Sequence, residues 1–225
     1  MTPQRGAIHN NDSLLKNNTW TLIPKSEDLK VLKGKWVLKI KDPYRNLVYK
    51  ARWVAKGFQQ QLGIDFNETF ANTVNPIAWR LLMAIAVYFD WEIVQWDVKI
   101  AFLNGRLKER VYIQQLIGLE DLTKKDYICQ LNKALYGLKQ AGREWEHYLR
   151  SLLKDIGLYP LKTDQSIYAN KDRTIILIAY IDDIIVLSPE IDKIKGLFQQ
   201  LAKSIEIKDL GDIDEFLGIQ ITRDR

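Results

Sequence analysis

The sequence contains very few of the residues that carry nucleophilic or zinc-dependent chemistry. Its 225 residues include one cysteine, Cys129, and two histidines, His9 and His147. One cysteine cannot form an internal disulfide, and two isolated histidines cannot assemble a zinc site or a Ser-His-Asp arrangement. The glycines form no phosphate-binding P-loop motif. We therefore expect structural roles for Cys129 and His147, and chemistry that depends on carboxylates.

A long apolar segment is also missing. No stretch approaches the roughly 20 apolar residues that cross a bilayer, because the strongest one, 174–188, is interrupted by two aspartates. The first twelve residues, "MTPQRGAIHNND", lack the apolar core of a secretory signal. These patterns predict no membrane insertion and favour a reducing setting inside the cell.

Basic charge is in moderate excess, and it is concentrated in one part of the chain. The whole sequence has 33 Lys and Arg against 28 Asp and Glu, which gives a net charge of +5. Between residues 25 and 60 there are ten basic and three acidic residues, a local excess of seven. Such a segment is either a solvated face or the surface that binds a polyanion, and charge alone leaves both interpretations open.

Polarity patterns predict a mixture of strands and helices. The segments 35–41 and 47–57 alternate around the turn sequence "DPYRN", which predicts a hairpin with one basic face. Apolar residues at helical spacing after Pro76 predict a buried helix over 76–89. The predicted fold class is α+β, a mostly antiparallel sheet covered by helices on one face, with residues 1–12 as a loose tail. Further predicted elements are strands at 91–98 and 174–188, helices at 143–156 and 191–201, and two short strands near residue 225.

Two adjacent aspartates interrupt the apolar segment "TIILIAYIDDIIVLS". A buried, unpaired carboxylate is costly, so Asp182 and Asp183 lie either in a solvated hairpin turn or beside a bound cation. Asp97, at the end of the strand "EIVQWDV", would join them if the two strands are neighbours in one sheet. Three carboxylates that hold two Mg²⁺ ions are the minimum for in-line phosphoryl or nucleotidyl transfer.

An ordered set of motifs identifies a family resemblance. The segments are "YKARWVAKGFQQQLGIDFNETFA", "WDVKIAFLNG", "ALYGLKQAGREW", "YIDD", "IKDLG" and "FLGIQITR". In this order they resemble the reverse transcriptase domain of Ty1/copia-type retrotransposons. The resemblance implies a right-hand polymerase over residues 13–225 that lacks the thumb. The fingers would be mainly residues 13–90 and 105–140, and the palm mainly residues 91–104 and 141–225.

The resemblance also implies roles for particular residues. Asp97, Asp182 and Asp183 correspond to the catalytic carboxylates, which with the carbonyl of Val98 would hold two Mg²⁺ ions, for which Mn²⁺ can substitute. Phe102 resembles the aromatic gate that excludes a ribose 2′-OH, with a core phenylalanine as the alternative. The remaining residues implied to bind nucleotide are Lys50, Arg52, Gly137 and Gln140, whose alternatives are surface charges for the first two and a helix-entry turn for the last two.

The family resemblance further implies partners and a cellular setting. A reverse transcriptase takes dNTPs and an RNA or DNA template with its primer, and it functions with thumb, ribonuclease H and integrase segments of one polyprotein. We expect a cytoplasmic virus-like particle or the nucleus, and a part in DNA integration. The alternative function is a catalytically silent, truncated nucleic-acid-binding remnant; a nucleotide cyclase is disfavoured by "YGLKQ" and "KARWVAKG". The sequence departs from the usual family pattern at Asn72, Asn75, Ile100, Leu116, Ile117 and Gly142.

Overall fold

The computed structural model of the chain describes residues 3–41 and 48–224. The predicted turn "DPYRN" lies outside the described residues. Within them the chain forms the helices α1 (Pro3–Lys16), α2 (Pro76–Tyr88), α3 (Ala141–Asp155) and α4 (Ile191–Leu201). The strands are β1 (Trp20–Pro24), β2 (Val31–Leu32), β3 (Gly34–Lys41), β4 (Val48–Ala55), β5 (Glu92–Val98), β6 (Tyr112–Ile113), β7 (Tyr127–Leu131), β8 (Tyr159–Pro160), β9 (Ile167–Ala169), β10 (Ile176–Tyr180), β11 (Asp183–Ser188), β12 (Ile207–Asp212), β13 (Glu215–Phe216) and β14 (Ile219–Gln220).

The chain divides into two compact units. The first consists of Met1–Phe70 and Phe102–Trp145, and the second of Ala71–Ala101 and Glu146–Arg225. The first contains the four-stranded sheet β1-β7-β6-β2 and the hairpin β3-β4. The second contains the six-stranded antiparallel sheet β12-β5-β11-β10-β9-β8 and the short hairpin β13-β14. The predicted mixed, mostly antiparallel α+β class is therefore confirmed.

The six-stranded sheet is buried on both faces, which corrects the prediction of helices on one face only. All five residues that follow Asp183 in β11 are buried, as in a strand covered from both sides. On one face, Trp79 of α2 packs in a cluster with Ile93 and Ile185. On the other face, Trp96 of β5 meets Phe198 of α4 in an edge-on contact with ring centroids 5.4 Å apart. Both helices are needed because strands β5 and β11 carry buried apolar residues on both faces.

The edge of this sheet beside β5 is irregular. Strand β12 pairs with β5, but its register shifts between Asp209 and Gly211, so that one extra residue bulges out. Gly211 has a φ of +79°, and its N–H donates to the Asp209 carboxylate at 2.9 Å. The bulge therefore has its own local hydrogen bond.

The prediction that residues 1–12 form a loose tail is wrong. Helix α1 covers most of it and packs against β4. Asn10 Oδ1 accepts a hydrogen bond from the Trp53 N–H at 3.0 Å, and Leu14 is buried. The segment is polar, but these two residues have partners in the rest of the fold, and tertiary packing stabilises a helix that intrinsic propensity alone would leave marginal.

Helix α2 forms where it is predicted but is less buried than expected. It belongs to the second unit and buries only Trp79 and Ala86. Its outer side carries Ile77, Leu81 and Tyr88 at exposures of 75%, 59% and 82%. Apolar residues occupy every side of this helix, so the periodicity of its sequence could not identify the buried side.

Several departures from the family pattern have local explanations. Asn75 caps α2, because its side chain accepts a hydrogen bond from the Ile77 N–H at 2.8 Å. Asn72 donates to Glu146 through both its backbone N–H and its side chain, at 2.7 and 2.6 Å.

Cys129 is buried, as expected for a core residue, and burial raises the pKa of its thiol to about 12. No helix within the described ranges is long and apolar enough to span a bilayer.

Candidate active site

The two adjacent aspartates occupy a tight hairpin. Strands β10 and β11 pair Tyr180 with Asp183, so only Ile181 and Asp182 form the loop between them. Ile181 adopts a φ of +55°, as two-residue hairpin turns require. Asp182 therefore lies at the tip of the hairpin, and Asp183 is the first residue of the buried strand.

The sheet register brings Asp97 to the same place. Asp97 of β5 lies directly opposite Asp183 of β11. The Val98 N–H donates to the Asp182 carbonyl at 2.7 Å, which makes Asp97 and Asp183 the adjacent non-hydrogen-bonded pair. In such pairs the Cα atoms are about 4.5 Å apart and the side chains point to the same face. The expectation that these two strands are neighbours is correct, and the three carboxylates lie together.

The electrostatics of this group are unfavourable in the absence of a cation. Burial raises the pKa of Asp183, the carboxylates of Asp182 and Asp97 raise it further, and Glu215 adds a smaller effect in the same direction. A hydrogen bond from the Gln95 side chain opposes them. Within residues 3–41 and 48–224, no ion pair links the three aspartates to a lysine or arginine.

The donor set suits a divalent cation. Carboxylate oxygens are the ligands that Mg²⁺ and Mn²⁺ prefer, and a divalent ion would offset the repulsion among the three aspartates. Gln95 is buried in the same strand as Asp97, and among the described residues its Oε1 has no hydrogen-bond partner. The three aspartates are neighbours, but among the described residues no group of three or more His, Cys, Asp or Glu is arranged to hold an ion.

Three residues near the aspartates were missed from the sequence. Gln95 lies two residues before Asp97, on the same face of β5, and a polar residue inside an apolar strand could have indicated it. Lys208 of β12 lies opposite Asp97 on its other side. Both Lys208 and Glu215 are distant in sequence from Asp97, and they are identified only by the pairing of Lys208 with Asp97 and by the electrostatic effect of Glu215 on Asp183.

In the first unit, three residues of the predicted nucleotide site come together. The Arg52 guanidinium lies over the Tyr136 ring, 5.2 Å from its centroid. Phe102 meets the same ring edge-on, with centroids 4.7 Å apart. Phe102 is half-buried, which argues against a plain core residue. The first residue of the "YGLKQ" motif, Tyr136, thus joins Arg52 and Phe102 in one aromatic and cationic cluster.

The hairpin β3-β4 has the predicted basic face. Lys39 lies opposite Lys50, and Val37 lies opposite Arg52, so these residues and Lys35 share one side of the ribbon. Lys35, Lys39 and Lys50 are exposed. The other side carries Trp36 and Trp53. A polyanion could therefore contact the basic side without disturbing the packed one.

The other two predicted nucleotide-binding residues behave differently. Gly137 has a φ of +90°, and a Cβ there would lie 2.2 Å from the Ala55 carbonyl oxygen, so its close backbone approach is to the protein itself. Gln140 is only 1% exposed, and its amide is bonded to Gln60 and to the Asp65 carbonyl, both inside the first unit. Direct contact of Gln140 with a nucleotide stays a prediction.

Comparison with known proteins identifies the class. Residues 17–225 match the family described as reverse transcriptase (RNA-dependent DNA polymerase). The chain belongs to the reverse transcriptase family.

Its relatives are polyproteins of Ty1/copia-type elements, which confirms the resemblance. The chain is 41% identical to the retrovirus-related Pol polyprotein from transposon TNT 1-94 of Nicotiana tabacum, over 95% of this chain and 16% of the relative. It is 37% identical to the Pol polyprotein from transposon RE2 of Arabidopsis thaliana, over 92% and 15%. The truncated transposon Ty1-A Gag-Pol polyprotein of Saccharomyces cerevisiae is 31% identical, over 95% and 18%. The chain thus spans less than a fifth of the length of these relatives.

Proposed function

We propose that the chain catalyses RNA-directed DNA synthesis, in which dNTPs are added to a primer 3′-OH on an RNA or DNA template. The observation that carries the proposal is the sheet register, which sets Asp97 opposite Asp183 and beside the hairpin tip of Asp182. Family membership supplies the reaction class, and the clustered carboxylates supply the residues.

The catalytic residues in this proposal are Asp97, Asp182 and Asp183. With the Val98 carbonyl they would hold two Mg²⁺ ions, or Mn²⁺ in their place. The bound ions would activate the attacking oxygen and neutralise the leaving phosphate. Asp97 and Asp183 are held by strand pairing, whereas Asp182 lies in a two-residue turn, so the sheet fixes two ligands while the third adjusts.

The reaction is balanced by bond exchange at the α-phosphorus. The primer 3′-oxygen forms the new bond, the bond to the pyrophosphate oxygen breaks, and the 3′-OH proton leaves to solvent or a base. Arg52, with Lys50, would bind the triphosphate through a forked guanidinium and an ammonium. Phe102 would exclude a 2′-OH. The contact of both Arg52 and Phe102 with Tyr136 supports a shared role for them.

The wider context belongs to the same proposal. The two units would correspond to the fingers and palm of a right-hand polymerase, with α2 in the palm rather than the fingers. In the complete polyprotein the chain would function beside thumb, ribonuclease H and integrase segments. A cytoplasmic virus-like particle or the nucleus would be its location.

Primer extension tests the proposal directly. We expect the wild-type chain to extend oligo(dT) on poly(rA) with dTTP and Mg²⁺ or Mn²⁺. Asp97→Asn, Asp182→Asn and Asp183→Asn should each lower the rate by about a thousandfold or more, since each removes a metal ligand. Asp172→Asn, in an exposed turn of the second unit, is the matched control and should extend normally. Equal rates in all five proteins would refute the assignment.

A catalytically silent nucleic-acid-binding protein is the second candidate. It is favoured by the basic side of β3-β4, which would bind a polyanion without any catalytic step. Salt-sensitive RNA binding in a chain that shows no extension with either metal ion would support this candidate over the first.

A further inference from the structure

Backbone contacts form the first attachment between segment 136–140, which carries Tyr136, and the end of β4 together with the residues that follow it. The Ala55 N–H donates to the Tyr136 carbonyl at 2.8 Å. A Cβ on Gly57 would lie 2.0 Å from the Gly137 carbonyl oxygen, so the two backbones touch. Only glycine fits at positions 57 and 137, because a Cβ at either position would collide with the opposing backbone. This close approach fixes the spacing between the two segments.

The second point of attachment is the side chain of Gln60. Its Oε1 accepts from the Lys139 N–H at 2.8 Å, and its Nε2 donates to Gln140 Oε1 at 2.9 Å. Gln140 Nε2 in turn donates to the Asp65 carbonyl at 2.8 Å. Gln60 is 5% exposed, so these bonds are shielded from water. A buried amide that loses its partner pays the full desolvation cost, and the network therefore favours one arrangement.

Asp65 anchors the far end of this network. Its carboxylate accepts from the Gln61 N–H at 2.8 Å and forms an ion pair with Lys30. Asp65 is buried as well. Through these two contacts Asp65 fixes the loop that carries Gln60.

These attachments bear on the aromatic and cationic cluster. Arg52 lies three residues before Ala55 on β4, and Tyr136 begins the attached segment. The overlap of the Arg52 guanidinium with the Tyr136 ring, and the edge contact of Phe102, therefore depend on where segment 136–140 is held relative to β4.

We propose that Gln60 is a positioning residue of the nucleotide site, which acts with Gln140 to hold Tyr136 between Arg52 and Phe102. The proposal rests on the proposed function, in which Arg52 and Phe102 meet the incoming dNTP. It assigns Gln140 a role through Gln60 instead of a direct contact. Gln60→Met and Gln140→Met should then have the same effect, and the double variant should be no worse than either, because both break one network.

The experiment measures binding and selectivity in the full chain. Equilibrium dialysis with labelled dTTP, Mn²⁺ and primer-template gives Kd without turnover, and single-nucleotide extension gives KM, kcat and the preference for dTTP over UTP. We expect each single variant to raise Kd and KM for dTTP by about tenfold, the loss of roughly one hydrogen bond, with a smaller change in kcat. The dTTP preference should fall, since Phe102 rests on Tyr136. Gln61→Met changes the adjacent, exposed glutamine and should match the wild type.

Amide hydrogen exchange provides a readout that does not need activity. Gln60→Met should accelerate exchange at the Lys139 N–H, which loses its acceptor, while exchange in the core strand β11 stays slow and shows that the protein is folded. Faster exchange at Lys139 with an unchanged dTTP Kd would overturn the proposal, as would an effect of Gln140→Met alone. A wild-type chain that neither binds nor incorporates dTTP would instead refute the proposed function, and the nucleotide role of Gln60 with it.

Discussion

At the scale of single residues, the neighbouring carboxylates destabilise one another in the folded chain. Asp183 is half-buried beside two other carboxylates, and burial followed by their charges raises its pKa. A carboxyl group whose pKa is higher in the folded state destabilises the fold once it ionises. Such strain is typical of residues kept for function, because a neutral side chain of the same shape would fold better.

Asp183→Asn should therefore stabilise the metal-free protein. We expect its melting temperature to exceed that of the wild type by about 1–2 °C at pH 8, a small gain because solvent screens half-exposed charges. The gain should vanish below about pH 3.9, where Asp183 is protonated in both folded and unfolded states, and appear as the pH rises through the raised pKa. Calorimetry in EDTA from pH 3 to pH 8 measures it. A lower melting temperature at pH 8 would contradict the assigned repulsion.

The sequence identified the three aspartates but only part of their surroundings. Asp182 and Asp183 are conspicuous because charge interrupts an apolar run, and Asp97 because it ends a strand. Lys208 is placed by pairing with a strand more than a hundred residues away, which composition does not reveal. The hydrogen bonds of Gln140 to Gln60 and Asp65 were not predicted, because a buried amide network has no signature in a linear pattern.

At the scale of elements, the contact between β4 and the segment after β7 depends on glycine. Gly137→Ala should destabilise the fold by about 3 kcal/mol or more, because positive φ and a backbone oxygen at 2.2 Å both oppose a Cβ. Gly63→Ala is the matched control, with a φ of +80° but open space around it, and should cost about 1 kcal/mol. Urea unfolding followed by tryptophan fluorescence measures both. Equal losses would show that backbone conformation alone matters.

Part of the fold was predictable, whereas helix α1 and the short strands β1, β2, β6, β7, β8 and β9 were not predicted. The hairpin β3-β4 follows from alternation, strand β5 and the pair β10-β11 from apolar runs, and helices α3 and α4 from a single apolar stripe. Helix α1 has too few apolar residues to be predicted as a helix, and α2 has too many for its buried side to be identified, so both depend on the strands they pack against. Packing partners of this kind are set by the tertiary structure, and a short stretch of sequence does not reveal them.

At the scale of the whole molecule, the modest net charge conceals an uneven distribution. The basic side of β3-β4 should dominate RNA binding. We expect the affinity for a single-stranded RNA to fall steeply with salt, and Lys35→Ala with Lys39→Ala to reduce the log–log slope by about 1.4, roughly 0.7 for each phosphate that is no longer neutralised. Fluorescence anisotropy from about 50 to 300 mM KCl, the range over which such binding weakens, measures the slope. Lys125→Ala with Lys154→Ala, exposed lysines elsewhere, should leave it unchanged.

The bulged strand β12 has a consequence for assembly. It is the outermost strand next to β5, and a smooth flank there would offer free backbone groups to any other extended chain. The extra residue between Asp209 and Gly211, with the charges around it, disrupts the regular spacing of backbone N–H and C=O groups that another strand would need for pairing. The bulge therefore disfavours the addition of another strand at the free edge of β12, and we expect deletion of Leu210 to increase aggregation through this edge.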